Sequence, residues 1–320
     1  MAAKGLLSEL KLAVPWGYIA AKVWGSQQAP PVLCLHGWLD NASSFDRLIP
    51  LLPKDFCYVA MDFGGHGLSS HYSPGLPYYQ ENFVSEIRRV VAALKWKHFS
   101  IVGHSFGGAV GAMFSSIFPE MVNKLILLDT WPFPLDPKGI ERVPTYRRGA
   151  IEYVLQVEAS QKPRQVASPE EMLQRFMKNN SHVSEESARL LLQRGTTKVA
   201  TGLTLNRDRR IALPLVATVL SSVCELGCSR DFISLREGFQ GSSKSQRGAR
   251  TSLLLRLNNI PFAWICPSVH RKRPLGCFRL LVIVNPAVNM SDEYQFESWL
   301  SVFLDTHLGA ELLDHMRILR

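Results

Sequence analysis

The run Phe99–Gly107, FSIVGHSFG, restricts the possible folds more than any other stretch of the chain. An apolar segment rich in β-branched and aromatic residues ends abruptly at Gly103, and an apolar, glycine-containing segment of helical spacing begins at Gly107. That sequence of events predicts a buried strand over 99–105, a tight turn and a helix over Gly107–Phe118. Gly103-His104-Ser105-Phe106-Gly107 is a G-x-S-x-G pattern in the context that gives it meaning, a strand entering and a helix leaving. The glycines permit a strained turn and close approach of strand to helix, and Ser105 is then presented at the carboxyl end of a sheet, where α/β folds place ligands.

Segments upstream and downstream repeat this rhythm. Residues 10–25, LKLAVPWGYIAAKVWG, read as a hairpin about the Pro15–Gly17 turn. The segments at 31–37 (PVLCLHG), 56–63 (FCYVAMDF) and 124–130 (KLILLDT) read as further strands. Ser44–Leu52 reads as a short amphipathic helix, and Glu81–Lys95 as a longer one with Phe83, Ile87, Val90, Val91 and Leu94 at helical spacing. Strands alternating with helices predict a mainly parallel sheet covered on both faces.

Two other motifs accompany the Ser105 turn. Leu35-His36-Gly37-Trp38 closes an earlier strand, and the backbone N–H groups of Trp38 and Phe106 are where an oxyanion hole would be assembled, each such donor being worth about 3 kcal/mol to a developing negative charge. Asp62-Phe63-Gly64-Gly65-His66-Gly67-Leu68-Ser69 predicts a tight turn, with Asp62 fixing loop backbone beside the site. On these residues the chain resembles the α/β-hydrolase family, in the branch of epoxide-hydrolase and haloalkane-dehalogenase relatives. The runs HGWLDNASSFDRLIPLL, MDFGGHGLSS and GHSFGG look most like the vertebrate serine hydrolase-like proteins. The resemblance covers about residues 5–211. It implies an α/β-hydrolase core over 8–131, a helical cap over 132–210 and, because Ser105 stands where the epoxide and haloalkane enzymes carry Asp, hydrolysis of a small ester or related acyl substrate without a cofactor. It also brings Asp129 forward as an orienting carboxylate, since some relatives carry theirs after this strand; a satisfied strand-end residue is the other reading of Asp129. His36, Gly37, Gly103, His104 and Gly107 are then supports of the turn and its neighbouring loop.

No histidine matches the pattern expected of a general base. His104 adjoins Ser105 at a sharp turn and should point elsewhere; His182 falls in the cap, and His270, His307 and His315 lie on no recognisable strand-end loop. From about residue 211 the strand–helix rhythm is lost, and runs such as NNIPFAWICPSVHRKRPLGCFRLLVIVNPAVNM look like translated intronic or repeat sequence joined to the family match. The expectation is a divergent tail over 211–320 that lacks the last strands and the catalytic loop. A weak or inactive hydrolase, or a non-catalytic splice variant or binding protein of the same fold, would follow.

Composition narrows the alternatives. The net charge of +9 is spread along the chain, with basic runs only at 244–256 and 270–273 and no nucleic-acid-binding motif around them, so no nucleic-acid partner is expected. The apolar stretches are interrupted by Arg256 and Arg279, which argues against a membrane span. The six cysteines are dispersed, and Cys34 and Cys57 lie in apolar strands, as buried free thiols would. Cys224 and Cys228 have no second ligand pair at metal spacing, so no metal is expected. No leader pattern opens the chain and it closes on Ile-Leu-Arg rather than an S-K-L-type address, so a cytoplasmic protein is expected, with vesicular or peroxisomal association implied only by the resemblance.

Overall fold

The computed structural model describes residues 7–128, 130, 137–160, 163–180, 183–212, 252–258 and 277–284. Strands β1 (Leu7–Val14) and β2 (Gly17–Trp24) form the expected hairpin. They are followed by β3 (Pro31–Leu35), β4 (Cys57–Met61), helix α1 (Gln80–Ala93), β5 (Phe99–His104), α2 (Phe106–Ile117) and β6 (Val122–Leu128). The segment expected as one helix over 44–52 is instead two short 3₁₀ turns, Ala42–Phe45 and Ile49–Leu51. Pro50 stands inside the second turn and cannot donate the backbone hydrogen bond that a continuous α-helix would require there.

β4, β3, β5 and β6 pair in parallel in that spatial order, and β2 joins β4 antiparallel. Every residue of β4 and all but the first of β3 are buried, which explains why these strands are continuous apolar runs rather than alternating ones. α1 lays Phe83, Ile87, Val90 and Val91 into a core that also holds Leu33, Ile101, Phe99 and Phe114. Cys34 and Cys57 are buried free thiols in adjacent strands, and burial pushes both thiols up from their ordinary range.

The region after β6 contains α3 (Pro137–Ala159), a short strand β7 (Val166–Ala167), α4 (Pro169–Asn179) and α5 (Glu185–Gly195). It is not wholly helical as the sequence suggests: β8 (Thr196–Val199) and β9 (Gly202–Leu205) form a hairpin whose second strand also pairs with β7. The four-residue strands are too short to display an alternating pattern. α4 begins with a capping box, the Ser168 hydroxyl accepting from the Glu171 N–H and the Glu171 carboxylate accepting from the Ser168 N–H.

Two strands are described beyond residue 211. β10 (Ser252–Asn258) and β11 (Cys277–Val284) pair with each other antiparallel, and β11 pairs antiparallel with β6, Leu280 opposite Leu128 and Val284 opposite Lys124. β11 is an apolar run broken only by Arg279, and β10 has four leucines broken by Arg256 between Ser252 and Asn258; a paired edge satisfies the β6 backbone groups that would otherwise be left open. The rest of the 211–320 region after Ala212 lies outside the described residues. Among the described residues no helix is long and apolar enough to cross a membrane.

Candidate functional site

The site is built where β3, β4 and β5 release their carboxyl ends. β5 passes into α2 through Ser105, whose φ of 48° and ψ of −116° are outside the regions that L-residues favour. Such a backbone costs on the order of 1–3 kcal/mol and persists only when its surroundings impose it. Here they do: the Ser105 N–H donates to the Leu128 carbonyl at 3.0 Å, and the Ser105 carbonyl accepts from the Ala109 N–H at 3.1 Å. The flanking glycines are required by contact with backbone. A Cβ on Gly103 would lie 2.6 Å from the Gly108 Cα, and one on Gly107 2.3 Å from the Leu35 carbonyl oxygen. Ser105 itself is half-buried, and among the described residues its hydroxyl has no hydrogen-bond partner.

The loop after β3 lies against this turn. His36 is fully buried; its Nδ1–H donates to the Gly37 carbonyl at 2.7 Å and its Nε2 accepts from the Phe63 N–H at 3.1 Å. Burial pushes this imidazole down to about 4, with the Arg194 charge adding to the effect and the Gly37 hydrogen bond opposing it, so the ring is neutral near pH 7 and serves as a clamp between two loops. Gly37 leaves room for two neighbours: a Cβ there would lie 2.9 Å from both Asp40 Oδ2 and His104 Nδ1. His104 is thus packed at the Gly37–Asp40 loop. Trp38 sets its indole edge-on to the Phe106 ring, with centroids 4.8 Å apart, and to the His66 ring at 5.2 Å. Phe63 and Phe83 complete the aromatic cluster behind them.

Asp62, at the end of β4, holds loop backbone as the sequence suggests. Its carboxylate accepts from the Ala42 N–H at 2.7 Å and the Leu68 N–H at 2.8 Å. No local pattern signals its third partner, Arg194 on α5, whose Nε lies 2.8 Å from Asp62 Oδ2 and whose Nη1 reaches Glu9 at 2.7 Å. Burial raises the Asp62 carboxyl, against the opposing pull of Arg194 and the two backbone donors. His66, on the same turn, donates from Nδ1 to the Gly64 carbonyl at 3.0 Å; its Nε2 is a buried acceptor without a partner among the described residues. Burial, then the neighbouring His36, holds its pKa well below the usual value.

A second network was also absent from the sequence reading. Glu86 on α1 is fully buried, accepts from the Gly64 N–H at 2.9 Å and bonds the Tyr72 hydroxyl; burial pushes its carboxyl up to about 8. The available signal was an acid at the i+3 position from Phe83, on the apolar face of α1. Tyr72 stacks on Tyr78, whose hydroxyl donates to Asp208 at 2.8 Å, and Arg210 clasps Asp208 while donating to the Tyr72, Ser73 and Leu76 carbonyls. Asp129, directly after β6, lies outside the described residues, as do His182, His270, His307 and His315. Among the described residues no group of three or more His, Cys, Asp or Glu could hold a metal ion.

Comparison with known proteins agrees with this fold. A family model described as alpha/beta hydrolase fold matches residues 30–202. Serine hydrolase-like protein 2 of Homo sapiens is 75% identical over 211 residues, 66% of this chain and 67% of that protein. The serine hydrolase-like protein of Danio rerio is 42% identical over 219 residues, 68% of this chain and 67% of its own length. Among solved structures, a hypothetical protein of Pseudomonas aeruginosa PAO1 matches with a TM-score of 0.58 at 34% identity, covering 64% of this chain and 72% of that one. A thioesterase domain from the curacin biosynthetic pathway matches with a TM-score of 0.57 at 26% identity, covering 67% and 74%.

Proposed function

We propose that this chain, which belongs to the α/β-hydrolase family, hydrolyses a small ester or related acyl compound with Ser105 as nucleophile. The observation that carries this reading is the Ser105 backbone, held at φ 48° on a half-buried turn between a parallel strand and a helix. A strained backbone at an accessible hydroxyl is stored where positioning matters. In the proposed reaction Ser105 Oγ bonds to the acyl carbon and its proton passes to a base. The carbonyl oxygen takes up the electron pair as an oxyanion received by the Trp38 and Phe106 N–H groups. Collapse breaks the acyl–oxygen bond and releases the alcohol with that proton, and water then frees the acid by the same steps. Asp129 is the proposed orienting acid. The thioesterase name of one fold relative supports acyl chemistry of this kind.

A second reading is a non-catalytic member of the fold that binds without turnover, and it comes from the sequence, in which no histidine stands in the setting expected of a general base. Without a base, acyl transfer forfeits roughly 10²–10⁴-fold, while the oxyanion donors still support slow reaction. Labelling with a fluorophosphonate probe, followed by assay on short-chain aryl esters, separates the two. The hydrolase reading expects label at Ser105 and ester turnover, both lost in Ser105→Ala. Label without turnover favours the second reading, and no Ser105-dependent label overturns the nucleophile assignment.

A further inference from the structure

The Trp38 N–H is one end of a peptide group whose other end is the Gly37 carbonyl. A trans peptide is planar, with its C=O and N–H pointing in opposite directions, so whatever holds the carbonyl also aims the N–H. Two donors hold it. The Asp40 N–H donates to the Gly37 carbonyl at 3.1 Å, closing a four-residue turn, and His36 Nδ1–H donates to the same oxygen at 2.7 Å. The Trp38 N–H makes no hydrogen bond among the described residues. One end of this peptide is fastened twice and the other is left as a donor.

The tautomer of His36 is set from its far side. Nε2 accepts from the Phe63 N–H at 3.1 Å, and a ring nitrogen that accepts carries no proton, so in the neutral ring the proton stands on Nδ1. The turn itself is strained: Leu39 has a φ of 66°, a region a bulky side chain rarely occupies. Leu39 and Ser105 thus put one strained residue on each of the two loops that meet here, and such strain persists only where its surroundings impose it. The loops are packed hard against each other. Leu35 pairs with Gly103 in the β3–β5 register, a Cβ on Gly107 would lie 2.6 Å from the His36 carbonyl oxygen, and the Trp38 and Phe106 rings are 4.8 Å apart.

We propose that His36 is a positioning residue for acyl transfer: through the Gly37 carbonyl it aims the Trp38 N–H at the oxygen that becomes negative, with the strained Leu39 turn as the second restraint. The proposal rests on the reading of Ser105 as nucleophile and of the Trp38 N–H as oxyanion donor. It assigns the two nitrogens of one ring different tasks. The Nε2 bond to Phe63 ties two loops together and serves stability, whereas the Nδ1–H bond to Gly37 serves the reaction. Because charge develops on that oxygen only in the transition state, losing the aim slows the chemical step and leaves ground-state binding unchanged.

Two substitutions divide the ring. Asparagine carries an amide N–H near the place of Nδ1 and nothing at Nε2, while glutamine brings a carbonyl acceptor to the place of Nε2 and no donor to Nδ1. The test measures fluorophosphonate labelling of Ser105 in the full chain over a range of probe concentrations, which gives a maximal rate and a half-saturating concentration without requiring turnover; thermal melts report folding. His36→Gln should lower the maximal rate by roughly tenfold to 10³-fold at an unchanged half-saturating concentration, and His36→Asn should retain most of the rate even where its melting temperature is lower. Equal losses in the two variants, rates that follow melting temperature, or a change confined to the half-saturating concentration overturns the proposal. Should either His36 variant not fold, Leu39→Gly decides: a slower maximal rate at unchanged half-saturation supports the proposal and an unchanged rate overturns it. An unmodified chain that takes no label at Ser105 overturns the nucleophile reading and this proposal with it, whereas a labelled chain indifferent to His36→Gln overturns this proposal alone.

Discussion

Glu86 and His36 titrate in opposite senses because burial disfavours the charged form of each, an anion in one case and a cation in the other. The Glu86 carboxyl is raised from 4.5 to about 8. The folded chain therefore holds a proton that the unfolded chain has lost, and stability present below pH 4.5 is lost progressively as pH rises towards about 8. His36 is lowered from 6.5 to about 4. Its unfolded imidazole takes up a proton first, so stability falls as pH drops from 6.5 towards 4. In their overlap the two slopes oppose each other, and only variants reveal them. Melting temperature measured from pH 5 to 8 should decline less steeply with rising pH in Glu86→Gln than in the unmodified chain. An unchanged slope would show that Glu86 ionises normally in the fold.

Between elements, the contact of α5 with the turn after β4 depends on a charge pair with almost no access to water. The Arg194 side chain is 4% exposed and that of Asp62 is not exposed at all. Removing one member of such a pair leaves the other buried and uncompensated, a loss of about 3–5 kcal/mol. Arg194→Met should lower the unfolding free energy by that order in urea titration, whereas disrupting the exposed Arg189–Glu185 pair on α5, about two-thirds exposed on both sides, should change it by less than about 1 kcal/mol. A loss below about 1 kcal/mol in Arg194→Met would mean that α5 is held mainly by the Asn41 side chain on the Leu191 carbonyl and by apolar packing.

At the scale of the molecule, the sheet is extended by strands from a part of the chain that the family model does not cover, since that match ends at residue 202. β11 covers the open side of β6 through the register from Leu280–Leu128 to Val284–Lys124. A chain ending at Ala212 should present β6 as an apolar edge, an invitation to pair with a second molecule. Light scattering during size-exclusion chromatography should show such a truncated chain self-associating where the full chain does not. A monodisperse, monomeric truncated chain would show that β11 does not protect the edge.

The order of elements from β1 to β6, the G-x-S-x-G turn at Ser105, the loop at His36–Trp38 and the role of Asp62 as a backbone clamp were legible in the sequence. Each depends on side-chain periodicity or on glycine at a turn, properties carried by a few contiguous residues. The short β7–β9 sheet was not legible, because strands of two to four residues hold at most two alternations. Nor were the partners of Asp62 and Tyr78, which come from positions 132 and 130 residues away, or the strand that joins β6 antiparallel. Tertiary structure alone decided these, because a buried charge is paired by whatever the topology brings beside it, and no local pattern records which arginine that will be.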